Sequence, residues 1–500
     1  MAAFGLHRRE HAPLGFLVRS RVVDLDLRLL LCTVWASLLT ALFKDIVGSD
    51  TIVFIGSYNL TIVEPVIAMQ AATLWQLARR RTLRPDIATW FLLGIAAIVF
   101  LNLCRGIAHD LPSGLRSFRA QGAFALYLLI AAFVPRDEAL LRQIRDALIV
   151  GALALCALVA LRVALGPQLF LRSLAGDLAS INDGGRPVTA DGALIIGIGL
   201  LLALSRAIED VRDRFNRTVV LAIPVLFAAL LLTAQATAII AGLAGTAIVT
   251  ALHPSANRGG RMLLVAALVL AAAFFYLALN GAFGRFALGA VPDYVQHNFL
   301  RRSSTFEFRK LIWAGVLRDY AHWSLFDQLF GLRNNDLPYI VIPRAEGYRW
   351  VASIHSMYYG ALVFMGAAGL ALYIALLGAI GLSGCRRAFD PRANWTRFGG
   401  AIPLGLLVAF SLFGYSYELR DEHTVLILLA LIASRPVRWA NTREVPLSPA
   451  AARPARGPSR DGNSGNTLPP PAHSREPAGP APSVPPRSAA AAPAATIQSR

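Results

Sequence analysis

The chain has 500 residues, 56% of them hydrophobic, and it carries one apolar run after another of roughly 17–25 residues, the length that crosses a bilayer core as helix. A soluble domain of this size does not hold so many, so composition excludes that class and predicts an all-α polytopic membrane protein. The net charge of +18 is almost wholly arginine; positive cytoplasmic loops account for much of it, and no nucleic-acid partner is expected.

Taken in order, residues 1–26 read as a cytoplasmic N-terminal segment without a cleavable signal, because the first apolar run follows basic residues and leads straight into others. Residues 27–435 form the membrane domain. Its first half is predicted to span at Leu27–Phe43, Leu60–Leu77, Ile87–Leu103, Gln121–Val134, Ala147–Leu165 and Gly192–Ser205. The second half is predicted to span at Val219–Thr233, Thr237–Leu252, Met262–Leu279, Ser356–Leu382, Phe398–Phe413 and Thr424–Ala433. That makes about twelve transmembrane helices. Residues 436–500 are Pro, Ala, Ser and Arg with few large apolar side chains, a composition that buries no core and predicts a disordered cytoplasmic tail. Cys32, Cys104, Cys156 and Cys385 lie in or beside different apolar runs without ligand spacing, so neither a disulfide framework nor a metal site is expected.

Loop charge sets the orientation. With the N-terminus inside, the arginine-rich segments alternate to the cytoplasmic side throughout, and both termini fall there. Three outer segments also carry arginine: Arg105–Arg119, Gly166–Ala190 and Gly281–His355. Positive charge on the outer face runs against the orientation rule, and an anionic ligand is the expected reason. Few ionisable residues lie within the spans; Glu64 and Arg162 are the clearest, with Arg162 near enough to the outer end to snorkel. This scarcity favours chemistry at the outer surface over proton-coupled transport.

The segment 281–355, about 75 residues long, is far beyond an ordinary connection and is predicted to fold against the membrane domain, since it holds Trp313, Trp323 and Trp350. Within SSTFEFRKLIWAGVLRDY, Ser304 and Glu307 have the spacing of a capping box opening an amphipathic helix. Arg309, Trp313 and Tyr320 fall near one face of that helix, and Phe308, Ile312 and Val316 on the adjoining one. Gly331 is a natural stop for a second short helix. His355 then stands where polar loop becomes apolar span, between Ser353 and Ser356, either of which can cap the next helix. A helix N-terminus disfavours imidazolium, so His355 is expected to be neutral and able to act as a base. Arg186, in GGRPVTADGALIIGIGL, and Arg309 present guanidinium forks that match phosphate oxygens. Neither a P-loop, a zinc motif nor a Ser-His-Asp set stands out, and no outer acidic cluster reads as a divalent metal site.

These residues resemble a family. The long outer segment before a late span, Arg309-x-x-x-Trp313, and His355-Ser356-x-Tyr358 followed by Gly366-x-x-Gly369 are similar to the O-antigen ligase and O-antigen polymerase family; the stretch around Arg186 is similar to that family's arginine ahead of its mid-chain span. Two departures stand beside the likeness. Ala190-Asp191-Gly192 replaces a frequent Asp-Pro-Asn, and TAQATA (233–238) lacks the Ser-Arg pair common between the next two spans.

The resemblance implies a GT-C-like, metal-independent glycosyltransferase that needs no cofactor and works at the periplasmic face of a bacterial inner membrane. Its donor would be an undecaprenyl-diphosphate-linked glycan, and its acceptor another glycan or lipid A-core. It implies His355 as the base for the acceptor hydroxyl and Arg186 and Arg309 as ligands of the diphosphate; Arg302, Arg116 and Arg119 share the outer face as further ligands. Besides membrane lipids, a chain-length regulator is a candidate partner. The alternative from a different class is a transporter or flippase of lipid-linked sugar without chemistry.

Overall fold

The computed structural model describes residues 25–47, 51–55, 58–84, 86–134, 137–165, 187–209, 214–252, 302–333, 340–344, 347–351, 354–389, 401–417 and 421–435. The span predicted at 262–279, Arg186, Ser353, residues 281–301 and the tail after 435 lie outside them. In chain order the helices are α1 Leu25–Val47, α2 Val63–Arg80, α3 Ile87–His109, α4 Leu111–Phe133, α5 Glu138–Leu165, α6 Ala190–Glu209, α7 Arg214–Leu232 and α8 Ala236–Leu252. They continue as α9 Arg302–Ala321, α10 Leu325–Phe330, α11 Met357–Ala388, α12 Ala401–Ser416 and α13 Asp421–Ser434. Two short antiparallel hairpins accompany them: β1 Thr51–Ile55 with β2 Tyr58–Thr61, and β3 Ile340–Arg344 with β4 Gly347–Val351.

Every predicted span among the described residues falls on a helix, and α1, α3, α5, α6 and α11 are each long and apolar enough to cross a membrane. Shorter apolar helical stretches lie at Gln121–Phe133, Thr218–Leu232, Ala236–Leu252, Ala401–Ser416 and Thr424–Ser434. The protein is an α-helical, membrane-embedded one. Local chemistry sets several helix starts. Asp86 accepts from the Thr89 amide at 2.7 Å ahead of α3, and Asp137 accepts from Ala139 at 2.7 Å and Leu140 at 3.0 Å ahead of α5. The predicted second span starts late, because residues 58–61 pair as a strand and α2 opens at Val63.

The helix ends sort into two sets. At one end Arg81 pairs with Asp26, and Arg206 with Asp146. There Arg435 also donates to the carbonyls of Ala131 and Val134, at 2.5 and 2.6 Å, closing the last turn of α4. Arg387 does the same for Ala433 at 3.0 Å. The described arginines of the segments predicted to be cytoplasmic, Arg81, Arg206, Arg387 and Arg435, thus lie at one set of helix ends. The opposite end collects the last turns of α1, α3, α5 and α12 and the first turns of α6, α8 and α11.

Without a hydrophobic drive between helices in lipid, close packing and interhelical hydrogen bonds hold the bundle. Thr33 and Thr73 hydroxyls meet at 2.8 Å, and Tyr127 reaches Ser37 at 2.5 Å, which joins α1, α2 and α4. On α8, small residues permit backbone contact on two sides. A methyl placed on Gly242 would lie 2.9 Å from the Cα of Gly197 on α6. One placed on Gly245 would lie 2.6 Å from the carbonyl oxygen of Gly405 on α12.

Candidate active site

Helix α9 lies against the start of α11. Ile312, Trp313 and Val316 are buried and form a cluster with Ile354 and Val363, ringed by Trp323, Leu332, Tyr359 and Phe364. The described part of this segment around α9 therefore packs on the start of α11, with Trp313 buried and Trp323 beside it. The Trp313 indole donates to the carbonyl of Ile354 at 3.0 Å and stacks on Tyr359 with centroids 5.3 Å apart; Tyr415 meets its edge at 5.2 Å. One local expectation fails. Helix α9 already begins at Arg302, so Ser304 is its third residue and not its cap. Tyr320 shares the Arg309–Trp313 face of this continuous helix as expected, and from there its hydroxyl donates to the Gln328 carbonyl at 2.9 Å and its ring meets Trp323.

His355 is half-buried and sits one residue ahead of the α11 N-cap, with φ of +53°. Histidine visits this left-handed region more readily than most residues, but the conformation persists only where surroundings impose it. They do so here from both sides. Trp313 holds Ile354, and the Ser356 hydroxyl reaches the carbonyl of Gly414 on α12 at 3.5 Å. Ser356 occupies the N-cap position without its side chain capping an amide, which corrects the expectation for that residue.

Arg309 lies one turn before Trp313. Its guanidinium carbon is 4.9 Å above the ring of Tyr417, and its Nε is buried without a hydrogen-bond acceptor. Among the described residues no carboxylate pairs with it. The Tyr417 ring stacks on Phe413 at 4.6 Å and 14°, and its hydroxyl donates to Oε1 of Gln235 at 3.0 Å. Gln235 is buried in the turn between α7 and α8, where Ala234 has φ of +53°. This is the TAQATA segment. Arg309 is thus seated on the Tyr417–Phe413 stack of the α12 end, while Trp313, one turn further along α9, holds the residue before His355 and meets Tyr359 and Tyr415. Tyr417 and Gln235 belong to the seat of Arg309; only the unusual TAQATA pointed towards either in the sequence.

The other arginines divide. Arg119 forms an ion pair with Glu64 at 2.6 Å, and Arg105 one with Asp327 at 2.5 Å. For these two, the outer positive charge has a protein counter-ion, and an external anion is not needed to explain it. The first outer segment is also not a loop: only Asp110 separates α3 from α4. Arg162 does not snorkel. It is 2% exposed and donates to the carbonyls of Pro187 at 2.7 Å and Asp45 at 2.5 Å, joining α5 to the end of α1 and the approach to α6. Arg302 opens α9 two turns before Arg309, Arg116 lies on α4, and Arg186 is outside the described residues.

The Gly366 and Gly369 motif acquires a reason. Gly366, at φ +66°, breaks α11, and Gly331, at φ +87°, ends α10 as predicted. The two backbones touch, since a methyl on Gly366 would lie 2.3 Å from the carbonyl carbon of Leu329. Asn102, fully buried on α3, satisfies the freed carbonyls of Phe330 at 2.5 Å and Phe364 at 2.9 Å. Arg105 adds a bond to the Gly331 carbonyl at 2.9 Å. Burial alone would raise the Asp327 carboxyl; hydrogen bonds from Ser324 and Arg105, with the charges of Arg105 and Arg333, hold it below the usual carboxylate range.

Among the described residues no group of three or more His, Cys, Asp or Glu side chains is arranged to hold a metal ion. No protein-family model matches the chain, and no curated protein matches it significantly.

Proposed function

We propose that the protein is a membrane glycosyltransferase that moves a glycan from an undecaprenyl-diphosphate carrier to a sugar hydroxyl, polymerising or ligating a surface polysaccharide at the periplasmic face of a bacterial inner membrane. The observation that carries this reading is Arg309, which has no carboxylate partner among the described residues and lies one turn from the Trp313 that holds Ile354, the residue before His355. A partly desolvated guanidinium without a carboxylate partner is costly to keep, and an anionic ligand removes that cost. Arg105 and Arg119, by contrast, have carboxylate partners and need no other anion.

In the reaction, the acceptor hydroxyl oxygen attacks the anomeric carbon of the donor sugar and its proton passes to the His355 imidazole. The bond from that carbon to the diphosphate oxygen breaks, and the diphosphate leaves with the electron pair. Arg309 meets the charge that grows on the leaving group, with Arg186, Arg302 and Arg116 as further ligands to test. Arg119 is omitted because Glu64 already neutralises it. Transfer by the purified protein from a synthetic undecaprenyl-diphosphate glycan is the direct test. A glycosylated acceptor and free undecaprenyl diphosphate are expected. Movement of the donor across proteoliposomes, with no transfer under any acceptor condition, would instead establish the transporter reading.

A further inference from the structure

The guanidinium of Arg309 rests on a ring that is itself fixed on two sides. Phe413 stacks beneath Tyr417 at 4.6 Å, and Gln235 accepts the Tyr417 hydroxyl at 3.0 Å from a turn 182 residues away in sequence. Gln235 is 2% exposed, and its backbone starts α8, so its side chain is held by a helix that cannot slide: α8 meets α6 and α12 through glycine backbone contacts. A guanidinium seated over an aromatic ring, as Arg309 is at 4.9 Å from the Tyr417 centroid, can still direct N–H groups away from the ring to bind oxygen. Such a fork takes two phosphate oxygens, and a guanidinium aimed along a diphosphate takes one from each phosphate.

We propose that Tyr417 and Gln235 are positioning residues that aim the Arg309 guanidinium at a diphosphate, so that the site prefers a diphosphate to a monophosphate; this rests on the reading of Arg309 given above. Neither residue touches the ligand. Tyr417 acts through the ring under Arg309, and Gln235 acts through the Tyr417 hydroxyl.

The test is a binding measurement on the full-length protein in detergent or nanodiscs, with farnesyl diphosphate and farnesyl monophosphate as probes. Tyr417→Phe keeps the ring and removes the hydroxyl, and Gln235→Leu keeps the volume and removes the acceptor. Each is expected to weaken diphosphate binding about tenfold, the size of one lost hydrogen bond, and to change monophosphate binding much less. A structural role alone would add its effect to any other change, so the deciding measurement is a double-mutant cycle. In the Arg309→Ala protein, Tyr417→Phe should cost no further diphosphate affinity. Full additivity in that cycle overturns the proposal, as does normal diphosphate binding by both single variants. Equal diphosphate binding by wild type and Arg309→Ala would instead overturn the assignment of Arg309 itself. Melting temperature and elution profile of each variant confirm that it is folded when binding is measured.

Discussion

Trp313 donates its indole N–H to the carbonyl oxygen of Ile354, and so ties the residue before His355 to the helix that carries Arg309. Trp313→Phe keeps most of the stacking on Tyr359 but removes the indole's hydrogen bond to that carbonyl, a loss of about 0.5–1.5 kcal/mol. The expected outcome is a lower melting temperature together with a fall in transfer rate. Unchanged melting and rate would show that α9 and α11 are held together by other contacts.

For His355 the choice of substitution matters, because its backbone is left-handed. Asparagine tolerates that region and alanine does not, so His355→Asn should accumulate and melt like wild type while His355→Ala is destabilised by about 1–2 kcal/mol. Both should lose the general base and slow transfer by ~10²–10⁴-fold with donor binding nearly unchanged. Single-turnover rates at saturating donor check this; a full rate in His355→Asn places the base elsewhere.

Arg309→Ala should weaken donor binding and rate together, since a guanidinium fork pairs with phosphate in both ground and transition states. Arg309→Lys should recover only part of the loss, because the point charge remains but the fork and its seat on Tyr417 do not. Affinity and turnover measured side by side decide it, and full rescue by lysine would mean that charge alone is used.

The Asp327–Arg105 pair gives a pH dependence with a definite sign. A carboxyl held below its unfolded value contributes stability that is present above about pH 4 and lost as pH falls through the folded pKa. Asp327→Asn should therefore lower stability at neutral pH, by ~1 kcal/mol for a pair that is mostly shielded but still reached by water. The gap from wild type should close as the pH is taken well below 4. Thermal unfolding at several pH values reads it, and a gap constant with pH would remove the ion pair from the account.

Gly366→Ala should be severe. The added methyl meets the Leu329 backbone and the residue is asked to hold φ +66°, worth about 1–3 kcal/mol from conformation alone. Reduced accumulation and loss of transfer are expected, whereas Gly378→Ala, where a methyl meets nothing within 4 Å, should behave as wild type.

Much of the helix layout is legible in the sequence, because apolar runs of bilayer length leave few alternatives. What escapes is helix with ordinary polarity. Helix α4 continues outwards through Arg116 and Arg119 to Leu111, and there hydropathy marks only Gln121 onwards. The motif residues His355, Trp313 and Gly366 were readable from local spacing. Their partners were not, since Arg105 and Asp327 are 222 residues apart and Gln235 and Tyr417 are 182 apart. Arginine in the outer segments reads in the sequence as a sign of an anionic ligand, but for Arg119 and Arg105 the partners are the protein's own Glu64 and Asp327. Asp45, just past the predicted end of the first span, gave no sign that it would receive Arg162 and the Thr189 amide, the latter at 2.6 Å.

The backbone contact between Gly245 and Gly405 has a mechanical consequence. Gly405 lies twelve residues before Tyr417 along α12, about 18 Å by the helical rise, while Gly245 shares α8 with the turn that holds Gln235. The two helices act as the arms of a clamp whose fulcrum is a pair of glycines in backbone contact. A single methyl at that fulcrum would spread the arms where they grip the arginine. Loss-of-function changes should therefore arise far from any group that touches substrate, at residues whose only duty is to be small.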